Sequence, residues 1–128
     1  MEDHGAADEV VQYLVFRGDL RLAKGKAAAQ AGHAVQLVIR AIERSGEERA
    51  KRWLADWEAG SYTKIAVRVA DLVQLRDLAT RLDSARIIHV EVVDEGRTAI
   101  QPGTATVLGL QPVPKSLVAS IVGALPLY

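Results

Sequence analysis

Apolar positions along this chain change period several times, and each change marks an element. Val11-Gln-Tyr-Leu-Val-Phe16 is short, β-branched and aromatic, which predicts a buried strand. Gly18 and Asp19 supply turn chemistry. Over residues 24–44 the spacing shifts to threes and fours, so that Ala28, Ala31, Val35, Val38 and Ile42 would share a buried helical face. Ser45-Gly46 stops that helix. A second, over residues 47–57, carries acids early and Gly60 just past its end. Lys64-Ile-Ala-Val-Arg-Val-Ala70 reads as the next strand. Asp71 suits the N-cap of a third helix, in which Leu72, Leu75, Leu78, Ala79 and Leu82 form one stripe. Ile87-Ile-His-Val-Glu-Val-Val93 and Thr104-Ala-Thr-Val-Leu-Gly-Leu110 read as two more strands. Asp94-Glu-Gly-Arg97 opens the loop between them. Pro112 and Pro114 interrupt the pattern before a last helix over residues 115–122. The apolar residues 118–128 suit a cover for the core or for a partner, and both readings stay open.

The order is β-α-α-β-α-β-β-α. Two helical crossovers make the first three strands candidates for parallel neighbours with right-handed connections. The third and fourth strands are joined by about ten residues without a helix, which predicts an antiparallel step. The expected fold is a three-layer α/β/α sandwich around a mixed four-stranded sheet. Ligands of such sheets collect beyond the carboxyl ends of the parallel strands. The segments leaving those ends are residues 17–26 and 94–103.

Composition narrows the classes. The 128 residues make one domain, with 49% apolar and 25% charged residues, as in ordinary globular proteins. There is no Cys, so disulfides, thiolate catalysis and Cys-ligated zinc are excluded. No apolar run approaches a membrane span, and residues 1–10 lack the apolar segment of a signal peptide, so the cytoplasm is the expected compartment. Sixteen Lys and Arg balance sixteen Asp and Glu. That zero is a sum of unlike parts. Residues 1–10 hold four acids and no Lys or Arg, and are expected to form a flexible tail ahead of a single domain over residues 11–128. Residues 17–52 hold nine Lys and Arg against four acids, which reads either as a solvated helix face or as a footprint for phosphates.

The two loops carry the candidate chemistry. Gly18 and Gly25 bracket six residues where a nucleotide-binding P-loop has four, and Ala27 stands where a magnesium-binding hydroxyl would be, so that reading fails. What survives is a helix N-terminus with Arg21, Lys24 and Lys26 around it, an arrangement that suits a phosphate. Lys26, Gln30 and His33 lie along one helical face. The second loop gathers Asp94, Arg97, Thr98, Thr104 and Thr106. His4, His33 and His89 form no metal motif, and no Ser nucleophile motif is present.

Arg17-Gly-Asp-Leu-Arg21-Leu-Ala-Lys24-Gly-Lys26-Ala-Ala-Ala-Gln30-Ala-Gly-His33-Ala34 resembles the first signature of the type II peptidyl-tRNA hydrolases. Asp94-Glu-Gly-Arg97-Thr98-Ala-Ile-Gln-Pro-Gly103-Thr104-Ala-Thr106-Val-Leu-Gly-Leu-Gln-Pro112 resembles the second. Residues 53–60 and the following Lys64-Ile-Ala-Val67 resemble the segment between them. The resemblance runs from about Tyr13 to Tyr128. It implies a mixed four-stranded sheet between helices, a homodimer, and cleavage of the ester between a peptide and the terminal ribose of tRNA. It implies no metal, no organic cofactor, and neither DNA nor membrane as partner. Carried over by motif position, the catalytic residues are Lys26, Gln30, Asp94 and Thr98, with Arg21 where a lysine is usual. Arg21, Lys24, His33, Arg97, Gly103, Thr104 and Thr106 are then the expected substrate contacts. Glu95 is a departure, and its charge is expected to raise the proton affinity of Asp94. A non-catalytic RNA-binding or protein-interaction module on the same fold, and an anion-binding protein, are the alternatives.

Overall fold

The computed structural model describes residues 8–96 and 100–128. Strand β1 (Val10–Arg17) lies inside the sheet, and its six middle residues are all buried. On one side it pairs in parallel with β2 (Lys64–Val69). On the other it pairs antiparallel with β4 (Ala105–Leu110), which pairs antiparallel in turn with β3 (His89–Val93). The strand order is β2-β1-β4-β3, and the two-residue β5 (Val113–Pro114) adds to the start of β1. The sheet is mixed, as expected, with five strands where four were predicted.

One expectation about the order is corrected. β3 runs in the same direction as β1 but is not its neighbour, because β4 inserts between them. The short β3–β4 connection holds those two strands together, and β4 then offers its second edge to β1. The carboxyl ends of β1 and β3 still lie at the same end of the sheet.

Helices α1 (Lys24–Ser45) and α2 (Glu48–Ala59) cover one face. Helices α3 (Leu72–Ser84) and α4 (Lys115–Val122) cover the other. Each boundary has a local cause. Gly46 ends α1 at φ 72°, in the left-handed region that favours glycine. Asp71 accepts the Gln74 N–H at 3.0 Å while Gln74 returns its side-chain oxygen to the Ala70 N–H at 2.9 Å, a reciprocal cap. The buried stripe of α1 is Gln30, Ala34, Val38 and Ile42, spaced by four. Ala28, expected in that stripe, is exposed, and polar Gln30 takes the place at the helix's leading end.

Both ends of the described residues are tied to the body. Val10 already belongs to β1, the Glu9 carbonyl accepts the Lys115 N–H at 3.0 Å, and Ser116 donates to Asp8. Three residues assigned to the tail therefore belong to the folded unit, and residues 1–7 lie outside the described residues. At the other end, residues 125–128 lie antiparallel along β2. The Arg68 N–H bonds Pro126 and the Tyr128 N–H bonds Ala66, both at 3.0 Å. Tyr128 stacks on Phe16 with ring centroids 4.2 Å apart. That apolar end covers the sheet's own edge.

Helix α1 approaches β4 at Gly109, where a Cβ would lie 3.0 Å from both Ala34 Cβ and Val38 Cγ2. Any larger side chain there must push the helix off the sheet. Gly109→Val is expected to lower stability by about 1–3 kcal/mol, as overpacking of a filled core does, read as a fall in Tm. An unchanged Tm would show that α1 does not depend on this contact.

Candidate active site

The first turns of α1 and the residue after β3 meet at one end of the sheet. Lys26 Nζ forms an ion pair with Asp94 Oδ2, and the Asp94 side chain is fully buried. Burying a carboxylate is costly unless its oxygens are occupied. Here both are. Oδ1 accepts the Gly96 N–H at 2.6 Å, and Lys26 faces Oδ2.

The loop that follows is folded to hold this residue. The Asp94 N–H donates to the Thr104 carbonyl and the Asp94 carbonyl accepts the Gly103 N–H, each at 2.9 Å. Gly96 and Gly103 adopt φ of 83° and 82°. A Cβ at Gly96 would come within 2.4 Å of Pro102 Cγ, so the backbone that donates to Asp94 admits only glycine.

The charge environment decides the protonation of Asp94. The Lys26 hydrogen bond lowers its pKa most, the Gly96 N–H lowers it further, and desolvation opposes both without prevailing. The net direction is down. The expected rise from Glu95 is thereby corrected: the contacts of Lys26 and Gly96 outweigh burial, and Glu95 is not among the causes of the shift.

Gln30 is placed by a separate device. The pairing of β3 with β4 shifts register after Val92, which faces Val107, while Val93 faces Ala105. Thr106 is left as an extra residue on β4, a bulge. Ala105 and Val107 consequently pack on opposite faces of the sheet. The fully buried Thr106 hydroxyl accepts Gln30 Nε2 at 3.0 Å and donates to the Val92 carbonyl at 3.3 Å. It is thus occupied within the protein and has no surface to offer a substrate.

A groove of about 370 Å³ opens on these residues, lined by Lys26, Gln30, His33, Val92 and Glu95 among others. The structure therefore brings together Lys26, Gln30 and Asp94, with Thr106 beneath them and exposed His33 on the rim. Lys24 is exposed at the helix start, Gly103 is exposed and Thr104 half-buried. Arg21 stands apart. It is exposed at φ 50° and lines a different groove with Arg68, Gly18 and Gln74 over the ends of β1 and β2. Arg97 and Thr98 lie outside the described residues. Sequence reasoning missed the placement of Arg68 beside Arg21, where its guanidinium also donates to the Leu127 carbonyl, and the holding role of the Gly96 N–H. It also missed Arg17, which donates to the Ala105 carbonyl at 3.2 Å and pairs with Asp19 at 2.8 Å, tying the turn after β1 to β4.

Comparison with known proteins identifies the family. The family model described as peptidyl-tRNA hydrolase PTH2 matches residues 10–128. A peptidyl-tRNA hydrolase of Saccharolobus solfataricus is 37% identical over 89% of this chain and 95% of its own length. One from Pyrobaculum aerophilum is 37% identical over 94% of this chain and 98% of its own, and one from Aeropyrum pernix 36% identical over 91% and 94%. With the match beginning at the first residue of β1 and including both loops, the chain belongs to the peptidyl-tRNA hydrolase PTH2 family.

Proposed function

We infer that this chain hydrolyses the ester between a peptide and the terminal ribose of tRNA, releasing tRNA for reuse. The observation that carries the reading is the buried Asp94 carboxylate held against Lys26 beside the fixed amide of Gln30. Ester hydrolysis needs an oriented water and a stabilised oxyanion. Water adds to the ester carbonyl carbon, the tetrahedral oxyanion collapses, and the ribose oxygen leaves with a proton. Asp94, kept ionised, is a weak base and a strong acceptor. Its part is to hold Lys26 in place and, through Thr98, to orient the attacking water. The Lys26 ammonium stabilises the developing negative charge. Gln30, fixed by Thr106, presents its amide to the ester or ribose.

The donor set supports catalysis without a metal or organic cofactor, since Lys26 already supplies at Asp94 the positive charge that a cation would bring. Arg21, Lys24 and Arg97 are assigned to the tRNA backbone, which they would hold without reading sequence. The type II resemblance favours a homodimer, and a translation substrate favours the cytoplasm.

Three outcomes test this. Under single-turnover conditions with N-acetyl-aminoacyl-tRNA, Asp94→Asn should lose most of its rate, and wild-type turnover would reject the assignment. Lys26→Ala should lose roughly 1.5–3 kcal/mol of transition-state stabilisation, as expected for a charged hydrogen bond, while Arg40→Ala, on an exposed face far along α1, changes little.

The pH dependence follows from the lowered Asp94 pKa. Its ionised form contributes stability that is complete above the unfolded value of about 3.9 and is lost as pH falls through the lower folded value. The acid limb of kcat/KM should therefore fall below the ordinary carboxylate range, and Lys26→Met should move it upward. A wild-type limb near about pH 6 would contradict this.

Binding of deacylated tRNA should weaken with salt, with a log–log slope of about −0.7 to −0.9 per phosphate contact. Removing residues 1–7, which include two of the four acids at the amino terminus, should leave that affinity equal or tighter. Salt-independent affinity would count against an RNA substrate.

A further inference from the structure

Arg17 is the last residue of β1, at the end of the sheet where the site lies. On one side its backbone is in register with Val69 of β2. On the other, the ladder with β4 ends one residue earlier, at Phe16 opposite Val107. Ala105 and Thr106, the first two residues of β4, fall outside that ladder. The Arg17 side chain spans the gap, and its Nη1 donates to the Ala105 carbonyl at 3.2 Å. That carbonyl belongs to the peptide joining Ala105 to Thr106, the bulged residue whose hydroxyl receives Gln30 Nε2. The preceding carbonyl, of Thr104, accepts the Asp94 N–H. The peptide that Arg17 holds therefore lies between the support of Asp94 and the support of Gln30.

The guanidinium is itself held. It forms a fork with the Asp19 carboxylate, Nε to Oδ1 at 3.2 Å and Nη2 to Oδ2 at 2.8 Å. Hydrogen bonding to Arg17 keeps the Asp19 carboxyl below its usual range. Asp19 sits in the single turn Gly18–Leu20, which lies hard against the end of β2, where a Cβ at Gly18 would come 3.1 Å from the Val69 carbonyl oxygen. A half-exposed pair of this kind adds little to stability. Its effect is directional: the guanidinium is planar, so the fork fixes where Nη1 points.

Resting on the hydrolase reading above, we propose that Arg17 is a positioning residue for the reaction, holding the β4 bulge from the β1 side so that Thr106 keeps the Gln30 amide beside Lys26 and Asp94. The route runs from the Asp19 fork to Nη1, to the Ala105–Thr106 peptide, to the Thr106 hydroxyl and so to Gln30. Arg17 itself meets neither the ester nor the attacking water. Without the guanidinium the bulge keeps its pairing with β3 and the Thr106 bond to the Val92 carbonyl, but loses its tie to the central strand.

The test uses Arg17→Lys, which keeps the charge but cannot make the fork and the third bond together. Two quantities are read: single-turnover kinetics on N-acetyl-aminoacyl-tRNA, and the side-chain amide resonance of Gln30 in the free, isotope-labelled protein. Arg17→Lys should lower kcat by about ten- to a hundredfold, the scale of a reacting group displaced by up to an ångström, with a much smaller change in KM. The Gln30 side-chain resonance should shift and broaden, as it should in Thr106→Val. Because the route passes through Thr106, the double variant Arg17→Lys/Thr106→Val should be scarcely slower than Thr106→Val alone. Should Arg17→Lys fail to fold, Asp19→Asn replaces it, loosening the fork from the other side with a smaller effect in the same direction. Full kcat in the folded variant, or an unmoved Gln30 resonance, overturns the proposal and leaves the hydrolase reading standing. So do effects that multiply in the double variant, which would make Arg17 a general structural tie. If the wild-type chain shows no turnover, the hydrolase reading falls, and the Gln30 resonance alone decides whether Arg17 places that amide.

Discussion

Helix α1 lies so close to β4 that no Cβ fits at Gly109 without movement of Ala34 or Val38. That contact sets the height of the helix above the sheet. One helical turn earlier, the same stripe delivers Gln30 to the Thr106 hydroxyl, and a turn before that the same side of the helix delivers Lys26 to Asp94. Four residues at spacing four thus run from pure packing to chemistry on one rigid element. A helix held by larger, softer contacts would leave the Lys26 ammonium and the Gln30 amide with more freedom than a reacting ester tolerates.

The ion pair at the end of that stripe is not well described as a stabilising bridge. Desolvating two charges opposes folding, and the mutual attraction offsets this only with good geometry and additional hydrogen bonds. What the pair secures is a carboxylate that stays ionised although it has no solvent contact. The glycine turn at residue 96 contributes a backbone N–H to the same end. Conformational constraint in the loop, at two glycines with positive φ, is therefore part of the electrostatics of the site.

Much of the fold was legible because its signals are local. Gly46 and Asp71 end and begin helices by their own backbone and side-chain chemistry, and the α3 leucines repeat at helical spacing. Lys26 and Gln30 were legible together because helical periodicity alone puts them on one face. Strand order was not, since the insertion of β4 between β1 and β3 depends on non-local pairing that no residue of β3 announces. Nor was the bulge. Thr106 has an ordinary strand propensity, and only the register with β3 shows it to be the extra residue that faces α1. The burial of Gln30 was not legible either, because the partner that permits it is 76 positions away.

The covering of β2 by residues 125–128 has a consequence for the molecule's behaviour in crowded solution. An open sheet has two free edges, each able to recruit strands from other chains, and proteins blunt them with charge, bulges or cover. Here one edge is sealed from within by a short antiparallel segment and a stacked tyrosine. The other retains side-chain contacts to α3, an ion pair of Glu91 with Arg76 and a hydrogen bond between His89 and Asp83, as its guard. Self-association through the sheet is thereby confined to β3, the strand that leads directly to Asp94. A cover fixed there would shut the groove, so colloidal safety and access to the reacting groups compete for the same five residues.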